Sequence, residues 1–312
     1  MKAFFIIAAL VSVVVSASTQ QPQFKASTAA VRLEVSVTDE RGAVQGLQAR
    51  DFVVEDSGKR QVVRSEESTD VPLDLVMVAQ PLSSLAYTSQ EQTPLMGAGL
   101  TAFLTQVEER DRLAAIVAGA PPSRIQPLTF GKPSFDSRAF KGGDFAAPFD
   151  AIAAALGEFV PSDRRRALVA FTSAADFRST LSFEALERIT RRLGPAFVLV
   201  GTPVRVEEHN RFFVDGPTGR QIADTQDAVV SGAVFPRNLE RLADRTGGIT
   251  VNLGDGNPDE LMERMFTWLR TQYVISYQPP AGQGWHPVSV KVNRKGATVT
   301  VREGYFVDGP PG

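Results

Sequence analysis

Chemistry in this chain would have to start from its two histidines. His209 stands in Glu207-Glu208-His209-Asn210 and His286 in Gly284-Trp285-His286-Pro287. A zinc protease needs two His one helical turn apart, so that both imidazoles share a face with a Glu beside them. Neither segment has that spacing. Glu207, Glu208 and His209 do offer donors for a weak surface metal site, but a solvated loop explains them more simply. His286 reads as a turn residue entering a strand. The chain has no Gly-x-Ser-x-Gly elbow and no phosphate loop or dinucleotide fingerprint. Carboxylate pairs such as Asp259-Glu260 fall where a helix begins and suit the positive end of its dipole. An enzyme reading is therefore confined to residues 203–233, where His209, Asp215 and a Ser would have to close on one pocket, as in a hydrolase.

A second set of candidates follows two apolar runs. Leu73 to Ala79 leads into Gln80-Pro81-Leu82-Ser83-Ser84, and Ala167 to Phe171 leads into Thr172-Ser173-Ala174-Ala175-Asp176. Open α/β sheets bind ligands outside the carboxyl ends of their strands. A ligand or partner is therefore expected to dock at these two loops.

These residues need a scaffold, and the chain alternates strand and helix patterns from Pro72 onward. Apolar strands are expected at 73–79, 113–118, 125–130, 167–171, 197–200 and 249–252, and helices near 96–109, 146–159, 182–193, 236–245 and 258–269. That alternation implies a mostly parallel sheet covered on both faces. Gly119-Ala120-Pro121-Pro122 is short enough for a hairpin and so implies an antiparallel pair at one edge. Ser182 is a helix cap with Phe183, Leu186, Ile189 and Leu193 facing inward, and Gly194-Pro195 stops that helix. Asn257-Pro258-Asp259-Glu260 is a strong helix start. Before this unit, Val31, Leu33, Val35 and Val37 share one face of a strand. Phe52-Val53-Val54 and Gln61-Val62-Val63 flank a turn at Asp56-Ser57-Gly58. After it come strands at 273–277, 288–292 and 297–305.

Composition narrows the class. Charge is nearly balanced, with 33 basic and 35 acidic residues, and no basic stripe interleaves with aromatics, so nucleic acid is not the expected partner. Lys2, the apolar run Ala3 to Val15, and the small residues around Ala17 form a secretory signal peptide too short to span a bilayer. The expected location is secreted or periplasmic, with no stable membrane anchor after cleavage. There is no Cys, so neither a disulfide nor a lipid on Cys is available. The remaining roughly 295 residues suffice for one large domain and a small one.

The alternating core resembles a von Willebrand factor type A domain, and the mature chain resembles the von Willebrand factor A-related proteins common in Acidobacteria and related bacteria. The likeness is carried by Val35-Ser-Val-Thr-Asp39 with Gly46-Leu47 and Asp51-Phe-Val-Val-Glu-Asp56, by Leu239 to Gly248, and by Leu269 to Tyr277 followed by Trp285-His286-Pro287-Val288 and Arg302-Glu-Gly-Tyr305. It implies a Rossmann-like α/β fold with a divalent cation held by Asp-x-Ser-x-Ser after the first strand, a Thr before a helix, and an Asp after a later strand. Here Gln80, Leu82, Ser84, Ala146 and Ser173 stand at those positions, with Asp176 nearby. The expected organisation is a signal peptide at 1–17, a polar leader at 18–30 and an N-terminal β segment at 31–70. The type A domain spans 71–278 with an insertion at 203–233. A C-terminal β segment at 279–306 pairs with 31–70 in a small β-sandwich-like domain, and a tail covers 307–312. The expected function is a non-catalytic interaction module that binds an unidentified protein partner through sheet-top loops, with Gln80, Ser84, Ser173 and Asp176 as the candidate partner-binding rim and with no metal and no cofactor.

Overall fold

The structure, a computed structural model, describes residues 30–68, 71–82, 92–141, 146–172, 176, 178–201 and 237–307. Its strands are β1 (Val31–Asp39), β2 (Gly42–Ala43), β3 (Phe52–Asp56), β4 (Lys59–Arg60), β5 (Arg64–Ser68), β6 (Leu73–Ala79), β7 (Arg112–Val117), β8 (Ser123–Phe130), β9 (Arg165–Phe171), β10 (Ala196–Gly201), β11 (Ile249–Asn252), β12 (Gln272–Tyr277), β13 (Gly284–Val292), β14 (Thr298–Thr300) and β15 (Gly304–Val307). The α-helices are α1 (Gln92–Gln106), α2 (Pro148–Leu156), α3 (Phe183–Leu193), α4 (Arg237–Thr246) and α5 (Pro258–Arg270).

The central sheet runs β11-β10-β9-β6-β7-β8. All its neighbours are parallel except the edge pair β7 and β8. Every residue of β6 is buried, because both faces of the sheet are covered and the two-residue period of a strand supplies each face in turn. Leu73, Leu75, Met77 and Ala79 pack with α1 and α5. Val76 and Val78 pack with α2, α3 and α4. Phe103 of α1 ties the first layer together, meeting Phe171 edge-on with ring centroids 5.4 Å apart and Phe266 at a tilt with centroids 5.3 Å apart.

Local chemistry sets the helix ends. The Ser182 hydroxyl accepts from Ala185 N, and Gly194 closes α3 with φ 74°. Asn257 accepts from Asp259 N with Pro258 in the first turn of α5. Gly247 ends α4 with φ 73°, and a Cβ on Gly248 would sit 1.8 Å from the Phe197 carbonyl oxygen, so no side chain fits there. The inward face of α3 differs from the sequence expectation. Phe183, Leu186 and Thr190 are buried, whereas Ile189 and Leu193 are 36% and 46% exposed. Thr190 can face inward because its hydroxyl donates to the Leu186 carbonyl.

The chain segments on either side of the α/β unit form two further sheets. One has the order β14-β1-β12-β5, with β2 on β1, and the other is β15-β13-β3-β4. Their facing residues, Leu33, Val35, Phe52, Val54, Tyr273, Ile275 and Val290 among them, make one buried cluster. Strand β12 corrects the sequence-based boundary. Residues 272–277 were expected to end the α/β unit, but they pair with β1 and β5. The alternation of Tyr273, Ile275 and Tyr277 buries one face against β3 and β13 rather than both faces against helices. The 57–58 turn has two residues at positive φ, 50° and 75°, as a two-residue hairpin loop requires. Its second strand is only Lys59–Arg60, and Val62 is 95% exposed, so the expected 61–63 strand does not form.

Candidate functional site at the sheet switch point

In chain order the central strands run 3-2-1-4-5-6 across the sheet, so the winding reverses between β6 and β9. The carboxyl ends of those two strands frame the crevice where such sheets bind ligands. Gln80 and Thr172 are the residues immediately beyond them. Gln80 N donates to Phe171 O at 2.8 Å, and Thr172 N donates to Val200 O at 3.1 Å. The Thr172 hydroxyl then donates to Gln80 Oε1 at 2.8 Å. Both side chains are buried, at 0% and 2% exposure. The switch point is therefore bridged by a neutral amide–hydroxyl hydrogen bond.

Leu82 lies in the core under α1, where a Cβ on Gly97 would come within 3.8 Å of its Cδ1. Ala146 is fully buried and bridged to Gly119, and Ala147 N donates to Ala118 O at 3.0 Å. Neither residue brings an oxygen ligand from its side chain. Ser84 and Ser173 lie outside the described residues, as do Ala17, the 203–233 insertion, Glu207, Glu208, His209 and Asp215.

Asp176 is buried at 6% exposure and serves its own loop. Its Oδ1 accepts from Ser179 N at 2.9 Å and Arg178 N at 3.2 Å. Its Oδ2 is buried with no hydrogen-bond partner among the described residues. Burial pushes the carboxyl above its ordinary value, against the pull of the Ser179 and Arg178 hydrogen bonds, and the nearby Asp150 charge adds to the rise. The same loop caps α2. The Ser179 hydroxyl accepts from Phe149 N at 3.1 Å, and the Asp150 carboxylate accepts from Thr180 N and Leu181 N, each at 2.9 Å.

A hard divalent cation takes six or more oxygen ligands with carboxylates among them, and of the described positions Gln80, Leu82, Ala146 and Asp176 only Asp176 carries a carboxylate. The Gln80 oxygen already holds Thr172, Leu82 and Ala146 are apolar, and Asp176 is tied into its loop. Among the described residues no group of three or more His, Cys, Asp or Glu converges as a metal site. The geometry also revises the candidate contacts: Gln80 and Asp176 present almost no surface to a partner and act as supports.

Sequence reasoning missed a polar cluster in the flanking sheets. Asp56 is fully buried and accepts from Tyr277 Oη at 2.9 Å, Tyr305 Oη at 2.5 Å and Ser57 Oγ at 3.0 Å. His286 Nδ1 lies 3.1 Å from its Oδ1. Burial alone would raise the Asp56 carboxyl, but the hydrogen bonds from Tyr305, Tyr277, His286 and Ser57 hold it below the usual carboxylate value. The two tyrosines are displaced upward, first by burial and then by donating to Asp56. His286 is 5% exposed, not the turn residue expected. It shares the inward face of β13 with Val288 and Val290, a period of two that extends back from those valines and was not followed to His286 in the sequence. The cluster joins β3, β12, β13 and β15, with Asp56 and His286 buried at its centre and the Ser57 hydroxyl at its edge.

No protein-family model and no curated protein matches the chain. Among solved structures it is similar to an aerotolerance-related membrane protein from Bacteroides fragilis NCTC 9343, at 19% identity over 62% of this chain and 98% of that one, with a TM-score of 0.41. It is similar to BatB from Bacteroides thetaiotaomicron at 15% identity over 63% and 98%, TM-score 0.41. A von Willebrand factor type A protein from Catenulispora acidiphila follows at 11% identity over 91% and 76%, TM-score 0.43. From its own strand order, antiparallel edge strand and helices on both faces, the central unit has the fold of a von Willebrand factor type A domain.

Proposed function

We propose that this protein is an exported, non-catalytic interaction module that binds a protein partner at the carboxyl end of its central sheet without a bridging cation. The observation that carries the reading is the Gln80–Thr172 hydrogen bond across the switch point. It puts a neutral, buried pair where a ligand-binding or catalytic group would have to stand. Contacts then come from Ser84, Ser173 and the 203–233 insertion, with Gln80 and Asp176 fixing the strand and loop ends from which those segments continue. Export rests on the first seventeen residues alone, and the mature protein is expected to begin near Ser18. No helix among the described residues is long and apolar enough to cross a membrane.

Isothermal titration of the full mature chain with magnesium, calcium and manganese is the direct test. No saturable heat is expected at millimolar cation, and a captured partner should stay bound in EDTA. One-to-one binding that disappears in Asp176→Ala would overturn the reading, because it would show a cation site rebuilt around Asp176.

A further inference from the structure

A cavity of about 150 Å³ lies at the opposite, amino end of the central strands, where the α/β unit meets the flanking sheets. Its wall carries Arg32, Arg164, Arg166 and Arg302 against Glu34 and Asp163. The four arginines come from β1, from the start of β9 and from the link between β14 and β15, so the fold brings them together from distant parts of the chain.

Their commitments differ. Arg164 donates from Nε to Asp74 at 2.9 Å, a carboxylate that also takes Arg112 at 2.7 Å. Arg302 donates from Nε to Gly304 O at 2.7 Å and reaches Arg191 O at 3.5 Å from Nη2. Arg166 lies over the Phe159 ring, 6.0 Å from its centroid. Neither Arg166 nor Arg32 has a carboxylate within salt-bridge distance among the described residues. Behind Glu34 stands a fifth guanidinium. Arg165 is 1% exposed, its Nε is 3.7 Å from Glu34 Oε1, and its Nε and Nη2 have no hydrogen-bond partner among the described residues. Burial and the neighbouring Arg166 both push Arg302 below its ordinary value.

The simplest structural account is that these arginines offset the negative ends of α3 and α4, whose closing residues Gly194 and Gly247 line the same cavity. Each helix end carries about half a negative charge, so two ends contribute about −1. Arg164 is already paired with Asp74, which leaves Arg32, Arg166 and Arg302 against Glu34 and Asp163. Arg165 adds a further guanidinium, so a positive excess of about one remains after the helix ends are counted. A phosphate group carries about −1.5 to −2 near neutral pH. Guanidinium forks match its oxygens in pairs. The volume equals that of roughly five liquid waters at ~30 Å³ each, enough for a group of five heavy atoms.

We propose that this cavity binds a phosphate group through Arg32, Arg166 and Arg302. Neither the cavity nor its ligand depends on the sheet-top reading above. The test uses the full mature chain, titrated with inorganic phosphate at constant ionic strength against chloride. Saturable one-site heat and a rise in unfolding temperature with phosphate concentration are expected. The double variant Arg32→Gln, Arg166→Gln should weaken binding by about tenfold or more, while unfolding in chloride alone is unchanged. Arg138→Gln, whose side chain pairs only with exposed Asp136, should bind like the parent. A phosphate response that chloride reproduces, or that survives in the double variant, would overturn the proposal. Glycerol 3-phosphate separates the sources: equal affinity assigns a phosphoryl group on a larger molecule, and binding of inorganic phosphate alone assigns the free ion.

Discussion

Asp56 in the flanking sheets and Asp176 at the top of the central sheet are the same residue at nearly the same depth, 0% and 6% exposed. Their carboxyls are displaced in opposite directions. Burial raises both, so the difference lies in the donors. Asp56 has four side-chain donors spread over both oxygens. Asp176 has backbone donors from Ser179 and Arg178 on one oxygen and help from the Ser179 side chain, but no partner for its second oxygen among the described residues and a carboxylate neighbour in Asp150. A buried charge is held when its hydrogen bonds are complete and penalised when they are half complete.

Removing Asp56 should have the largest effect. Asp56→Ala leaves two tyrosine hydroxyls and an imidazole without their acceptor in the core, and a loss of about 3–5 kcal/mol is expected from urea unfolding. Tyr277→Phe, which deletes one donor to the carboxylate, should cost about 1.5–3 kcal/mol. A loss below about 1 kcal/mol for Asp56→Ala would mean the cluster is decorative.

The pH dependence separates the two acids more finely. With its folded value depressed, Asp56 contributes stability that is fully present above the ordinary value of 3.8 and lost as pH falls through the folded value. With its folded value raised, Asp176 contributes most below 3.8 and loses that contribution as pH rises through the folded value. The stability gap between the parent and Asp56→Asn should therefore narrow on acidification from about pH 5 to pH 2. Relative to its parent, Asp176→Asn should lose ground over the same range. Parallel trends in the two unfolding series would break the comparison.

The smallest effect is expected from Asp176→Asn at neutral pH. The amide oxygen keeps the Ser179 and Arg178 contacts and the charge penalty disappears, but the amide nitrogen takes the place of Oδ2. The two changes oppose each other, and the net should stay within about 1 kcal/mol by chemical denaturation. A larger loss would show that Oδ2 has a partner in the folded protein.

What the sequence disclosed followed the range of the interaction. Caps at Ser182 and Asn257 and the stop at Gly194 depend on residues a few positions apart, and they were legible. So was the run Leu73 to Ala79, whose burial on both faces follows from its composition. The expected boundary at 278 fell on the wrong side of β12 because nothing in Gln272 to Tyr277 names β1 as its neighbour. Ile189 and Leu193 were misplaced because hydrophobicity alone does not show that Thr190 can satisfy its hydroxyl within the helix. At the candidate site, Gln80 and Asp176 were singled out for their positions at strand ends, but their depth depends on Thr172, Ser179 and Leu82 packing around them. The Asp56 and arginine clusters were invisible because their members lie far apart along the chain.

The hydrogen bond between Asp56 and Tyr277 spans 221 residues. At a synthesis rate of about 5–20 residues per second, Asp56 leaves the ribosome on the order of 10–40 s before Tyr277 exists. During that interval β1 has only β2 and β3 has only β4 among their partners, and their other edges stay open while the α/β unit is still being made. The last strands to be synthesised thus complete the part of the protein that began first, and a ribosome that stops before Tyr277 leaves those early edges uncovered.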